Sequence, residues 1–183
     1  MAELLIMAAC LLINAVLSGV EMAFVSVGKP QLRELTRKGN REAARVLALR
    51  DNPERTLSVL QIGITLVGVV AAAVGGAGAE EAFSPFLESR FGLSEPTAEF
   101  LTILGVALPY TYLSVVIGEL VPKSLALRNP TQIILKTSRW LVILDRILSP
   151  VVTLLEVSTR RVLHLFRLRN RTGVAEPVPA LEE

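Results

Sequence analysis

The chain of 183 residues has one cysteine, one histidine and one tryptophan. Cys10 stands alone in an apolar run, so it cannot close an intrachain disulfide and reads as a packing residue. His164 lies among Arg160, Arg161, Arg167 and Arg169, a surface setting rather than a metal or catalytic one. With so few soft or imidazole donors, zinc, copper and iron–sulfur chemistry are excluded. Nucleophile elbows, phosphate-binding loops and His–Glu zinc helices are absent as well, and no nucleophile–base spacing replaces them. The chain is therefore not expected to be an enzyme.

Charge is missing over long stretches. Leu4 to Val27 carries only Glu21, Thr56 to Ala79 carries none, and from Phe100 to Gly118 there is none again. Each run, as a helix, is about 30 Å or more, enough to cross the hydrocarbon core of a bilayer. With 51% apolar residues and a mean hydropathy of +0.52, the composition is that of a membrane protein. The formal net charge of +2 does not point to nucleic acid, because the basic residues flank the apolar runs and follow a positive-inside pattern.

These features predict an all-α integral membrane protein with spans at about 4–27, 56–79 and 99–121. The first run has no basic segment before it and outlasts a signal-peptide core, so it reads as a retained span. On it, Asn14, Ser18 and Glu21 fall within about 60° of one another around the helix. That polar stripe suits a protein or water face, or an interhelical hydrogen-bond seam. Lys29 to Arg55 holds eight basic and four acidic residues and is cut by Gly39-Asn40 into two short amphipathic helices, over about 30–53. In the second span Ser58, Gln61 and Thr65 share a face continued by Gly68 and Ala72, and its many glycines suit close packing. Glu80 to Glu99 has five glutamates and one arginine, and is expected to be an acidic loop leading to a helix start at Ser94-Glu95-Pro96-Thr97. The charge difference between the two connections places the N-terminus outside and the C-terminus in the cytoplasm. Residues 131–168 read as helices at the cytoplasmic interface, with Trp140 as anchor, a new helix at Pro150 and a basic cluster from Arg160 to Arg171 for the lipid surface. Residues 169–183 read as a linker.

The most informative stretch is Val115-Val116-Ile117-Gly118-Glu119-Leu120-Val121-Pro122-Lys123-Ser124. A carboxylate near the end of a membrane helix costs about 2.5–3.5 kcal/mol at mid-membrane on insertion scales, so Glu119 needs a reason to be there. Pro122 has no N–H, which leaves the Gly118 carbonyl without its helical donor and ends the span. A free carbonyl beside a carboxylate is a pair of hard ligands for Mg²⁺, Ca²⁺ or Na⁺. The alternative is an interfacial Glu119 paired with Lys123 one turn on. Pro109 is expected to kink the same span.

Three stretches in order, Ser18-Gly19-Val20-Glu21-Met22-Ala23-Phe24, Asn52-Pro53 to Leu66 with Gln61-Ile62-Gly63-Ile64-Thr65, and Gly118-Glu119-Leu120-Val121-Pro122-Lys123, resemble the transmembrane domain of the CorC/CNNM (cyclin-M) magnesium transporters. The resemblance covers roughly residues 1–165. It implies a homodimeric, multi-pass cell-membrane protein exporting Mg²⁺ in exchange for Na⁺. Carried over to this sequence, the ion ligands are Ser18, Glu119 and the Gly118 carbonyl, with Asn14 beside them. Glu21, Ser58, Gln61 and Thr65 would line the cation cavity, and Pro109 and Pro122 would act as hinges. Family members continue into ATP-binding CBS modules, towards which 169–183 would lead. The rival reading is a non-transporting module for anchoring, dimerisation or Mg²⁺ sensing.

Overall fold

The computed structural model describes residues 1–165. The expected linker at 169–183, the arginines beyond Arg161 and the side chain of His164 lie outside the described residues. Two compact units divide the chain, Met1–Leu148 and Ser149–Glu183, and the fold and site below belong to the first.

All regular structure among the described residues is helical. Helix α1 covers Ala2–Ser26 and is followed by a hairpin of two short helices, α2 (Lys29–Arg37) and α3 (Arg41–Leu49). Gly39 makes the turn between them at φ 86°, a conformation only glycine adopts without strain. Asn40 then caps α3 by accepting the Ala43 amide. Asn52 caps α4 in the same way through Arg55, with Pro53 in the first turn where its missing N–H costs nothing.

Helix α4 runs Pro53–Phe91, well past the expected end at Ala79. The acidic loop foreseen from Glu80 is therefore helical for its first half. Its Ala, Glu, Phe and Leu content favours helix, the Ser84 hydroxyl donates to Glu88 one turn on, and left-handed Gly92 supplies the stop. At about 59 Å, α4 is nearly twice as long as a bilayer core is thick. Helix α5 (Glu95–Val115) starts at the Ser94 cap, as the Ser94-Glu95-Pro96-Thr97 stretch led one to expect, four residues before the expected start of the span at 99.

Pro122 does not end the third span. Val116–Leu120 form a π-turn, closed by the Val121 amide on the Val116 carbonyl, and helix continues as α6 (Val121–Arg128) with Pro122 in its first turn. The wider turn gives the proline ring room against the carbonyl of Gly118, so the chain widens where it was expected to break. Pro109 likewise lies inside α5 without interrupting it. Helix α7 (Pro130–Leu165) runs through Pro150, where a new helix had been expected.

Three helical segments, Ala2–Ser26, Pro53–Phe91 and Glu95–Arg128, are long and apolar enough to cross a membrane. Helix α1 is central, packing on α4 along one side and on the π-turn and α6 along another. The apolar core gathers where α1 meets the α2–α3 hairpin, around Phe24, Val27, Leu32, Val46, Leu60, Ala126 and Ile134. Arg50 fastens the hairpin there, donating to the Val27 carbonyl at 2.7 Å with its guanidinium 5.2 Å above the Phe24 ring. The polar residues of α1 lie immediately beyond this core.

Candidate cation site at a pi-turn

The fold joins two polar segments, one from α1 and one from the third span. Asn14 and Ser18, a turn apart on α1, are 5% and 0% exposed. Asn14 faces the third span, and Ser18 follows about 40° round the helix from it. The Asn14 side-chain amide donates to the Gly118 carbonyl at 3.4 Å, a buried contact between residues 104 apart in sequence. The carbonyl expected to be free thus carries one long hydrogen bond and keeps a second lone pair. Any other residue there has to displace a neighbouring side chain. A Cβ on Gly118 would stand 2.9 Å from Asn14 Nδ2 and 3.1 Å from Leu11 Cδ1.

One residue beyond Ser18, Gly19 meets Pro122, its missing Cβ position lying at ordinary contact distance, 3.6 Å, from the Pro122 carbonyl oxygen. Gly19 and Gly118 each mark a point where α1 meets the third span. Between them, Asn14 Oδ1 and the Ser18 hydroxyl are buried without a hydrogen-bond partner among the described residues. A buried hydroxyl or amide oxygen left unpaired costs about 1–3 kcal/mol, so two on one helix face are unusual and mark the seam as a place for a ligand.

Charge collects at the next turn. Lys123 Nζ lies 3.2 Å from Glu21 Oε2 and 3.9 Å from Glu119 Oε2. The side chains of Glu21, Lys123 and Glu119 are 21%, 30% and 37% exposed, so this end of the seam opens outward while Asn14 and Ser18 are sealed. The pairing of Glu119 with Lys123 follows from their four-residue spacing. The shorter contact to Glu21 is tertiary, and nothing local in the sequence announces it.

The expected second-span contribution does not join the seam. Ser58, Gln61 and Thr65 are exposed, on a face that Gly68 and Ala72 continue. The Ser58 hydroxyl is spent on the Glu54 carbonyl and that of Thr65 on the Gln61 carbonyl. Helix α4 meets α1 with its other side, where Gly63 faces Leu17 and Gly75 faces Met7. Of the residues expected to surround a cation, Asn14, Ser18, Gly118, Glu119 and Glu21 share one seam, together with Lys123, the expected ion-pair partner of Glu119, and Ser58, Gln61 and Thr65 lie elsewhere. Ser114 is an addition, its hydroxyl 3.6 Å from the missing Cβ position of Gly118.

The donor set is oxygen throughout: an amide, a hydroxyl, a backbone carbonyl and carboxylates. Among the described residues no three His, Cys, Asp or Glu side chains come together in a metal-binding group. Neutral oxygens with one nearby carboxylate suit a hard cation that keeps part of its water.

Residues 5–183 match the family described as the cyclin M transmembrane N-terminal domain. The UPF0053 protein sll0260 of Synechocystis is 39% identical over 181 residues, 99% of this chain and 39% of that protein. The UPF0053 inner membrane protein YfjD of Escherichia coli is 28% identical over 158 residues, 86% of this chain and 33% of that protein. A protein of Haemophilus influenzae named polyamine export protein is 26% identical over 171 residues, 90% of this chain and 38% of that protein. The chain spans about two-fifths or less of the length of each of these relatives.

Proposed function

This chain belongs to the cyclin M transmembrane family, and from that premise we propose that it binds and transports Mg²⁺ across the cell membrane, exporting it in exchange for Na⁺. The observation that carries this reading is the pair of buried, unpartnered oxygens, Asn14 Oδ1 and Ser18 Oγ, a turn apart on α1, with the Asn14 side chain bonded to the Gly118 carbonyl next to Glu119 in the chain. In the proposed cycle Mg²⁺ enters from the half-open end at Glu119 and Glu21. Ser18 Oγ, Asn14 Oδ1 and the second lone pair of the Gly118 carbonyl then replace part of its water shell. Waters complete the octahedron, since Mg²⁺ gives up its shell reluctantly.

The chain does no covalent chemistry in this reading. The eight basic residues of Lys29 to Arg55 support an orientation with the α2–α3 hairpin, and with it the Glu119 end of the seam, on the cytoplasmic side and the N-terminus outside. Two copies pair through the exposed face of α4 at Ser58, Gln61, Thr65, Gly68 and Ala72, where small residues allow close approach and the amide can bond across the interface.

A second reading is favoured by the name of the H. influenzae relative: the cargo is an organic polycation. The two carboxylates that hold the Lys123 ammonium could hold a primary ammonium of a cargo in the same way.

Titration calorimetry on the purified protein tests the proposal. Saturable Mg²⁺ binding is expected, weakened at least tenfold in Glu119→Gln and several-fold in Ser18→Ala. Spermidine binding at the same residues, with Mg²⁺ indifferent, would install the second reading. If neither cation binds, the seam is a helix-packing device and the domain an anchor. Na⁺-driven Mg²⁺ flux in liposomes then tests the exchange.

A further inference from the structure

Among the described residues Lys123 is the cation that the seam holds, and its position is awkward for a residue that only balances charge. Its ammonium touches Glu21 on α1 at 3.2 Å and stands 3.9 Å from Glu119 on the π-turn. Two carboxylates and one ammonium leave this end of the seam with a single net negative charge. Glu119 is the more exposed of the two acids and has the longer contact, while Glu21 is the better covered and has the shorter. The ammonium is therefore held chiefly by α1 and only loosely by the residue expected to meet the ion.

We propose that Lys123 is a tethered competitor for the transported cation, parked on Glu21 and able to displace the ion from Glu119. This rests on the cation-transport reading above. When a divalent ion sits on Glu119, repulsion drives the ammonium fully onto Glu21. When the ion has to leave, the same ammonium, on a flexible four-carbon stem, returns to Glu119 and neutralises the carboxylate left behind. The returning ammonium replaces the ion as the partner of the carboxylate, so the tether lowers the barrier to release and sets the affinity below the tightest the oxygens could give. Glu21 is then a positioning residue: it holds Lys123 away from the ion and does not ligate the ion itself.

The test is a double-mutant cycle read by Mg²⁺ titration, with MgCl₂ as the probe and Mg²⁺ flux in liposomes as the second readout. Lys123→Met keeps the stem and removes the charge. It is expected to tighten Mg²⁺ binding about tenfold while slowing flux, as removal of a competing charge at close range demands. Glu21→Gln frees the ammonium for Glu119 and is expected to weaken binding about tenfold in the wild-type background, but less than about threefold in the Lys123→Met background. Lys123→Gln repeats the measurement with a polar side chain in case the methionine variant does not fold.

Unchanged or weaker affinity in both Lys123 variants would overturn the proposal, because a lysine that only braces two helices has no reason to oppose the ion. So would a Glu21→Gln effect that is as large without Lys123 as with it, which would make Glu21 a direct ligand. Failure of the transport reading is separate: wild-type protein would then bind no Mg²⁺ at all.

Discussion

Helix α1 makes two seams, and they are built from the same small residues to different ends. Against α4 the glycines face flexible side chains, Leu17, Met7 and the stem of Glu3. A Cβ on Gly75 would meet Met7 Cε at 2.8 Å, and one on Gly63 would meet Leu17 Cδ1 at 3.2 Å. Against the third span the glycines face polar or rigid groups, the Asn14 amide at Gly118 and the Pro122 backbone at Gly19. The first seam can be refilled by rotating a side chain. The second holds buried oxygens without partners and a carboxylate–ammonium–carboxylate chain, so a change there disturbs polar groups. One seam holds the bundle together, and the other stores unmet hydrogen-bonding capacity.

That contrast can be broken most sharply at Glu119. Glu119→Gln is expected to weaken Mg²⁺ binding at least tenfold, because a charge-assisted contact contributes about 1.5–3 kcal/mol, and to leave the ion-free melting temperature almost unchanged. Gly118→Ala comes next. The added methyl must displace the Asn14 amide or Leu11, at about 1–3 kcal/mol, so a lowered melting temperature and weaker Mg²⁺ binding are expected together. Ser18→Ala separates stability from function: binding should weaken several-fold, while thermal unfolding should show no loss, since the hydroxyl removed satisfies nothing in the fold. The smallest effect is expected on the other seam. In Gly75→Ala the flexible end of Met7 moves aside and helix propensity gains about 1 kcal/mol, so stability should hold and Mg²⁺ binding should not change. A Gly75→Ala variant that lost Mg²⁺ binding would erase the distinction between the seams.

The spans were legible in the sequence because charge-free length is a direct requirement of a bilayer, and the stripe of Asn14, Ser18 and Glu21 was legible because helical phase depends only on spacing. The far end of α4 was misread for a physical reason: glutamates at Glu80, Glu81 and Glu88 signal that a helix has left the membrane, not that it has stopped. Polarity and helix ends are different events, and only Gly92 marked the second. The Ser58, Gln61 and Thr65 face had the right residues and the right period, yet phase within one helix cannot say which neighbour it meets. The glycines of α4 held that information, since Gly63 and Gly75 lie on the side that packs against α1. The contact of Lys123 with Glu21 depends on how α1 crosses the third span, and no local rule carries it.

The π-turn at Val116–Leu120 also has a consequence for comparison between chains. A π-turn holds one residue more than the α-turn it replaces, so everything from Val121 onward is set back by about 100° in helical phase. The chain is, in effect, an ordinary helix with a single inserted residue, and the insertion is what brings Lys123 round to Glu21. A relative lacking one residue between Val115 and Val121 would align with a gap of one and keep Gly, Glu, Pro and Lys in order. Its lysine would nonetheless point a quarter-turn away. In this segment the length of the chain carries as much information as the identity of its residues.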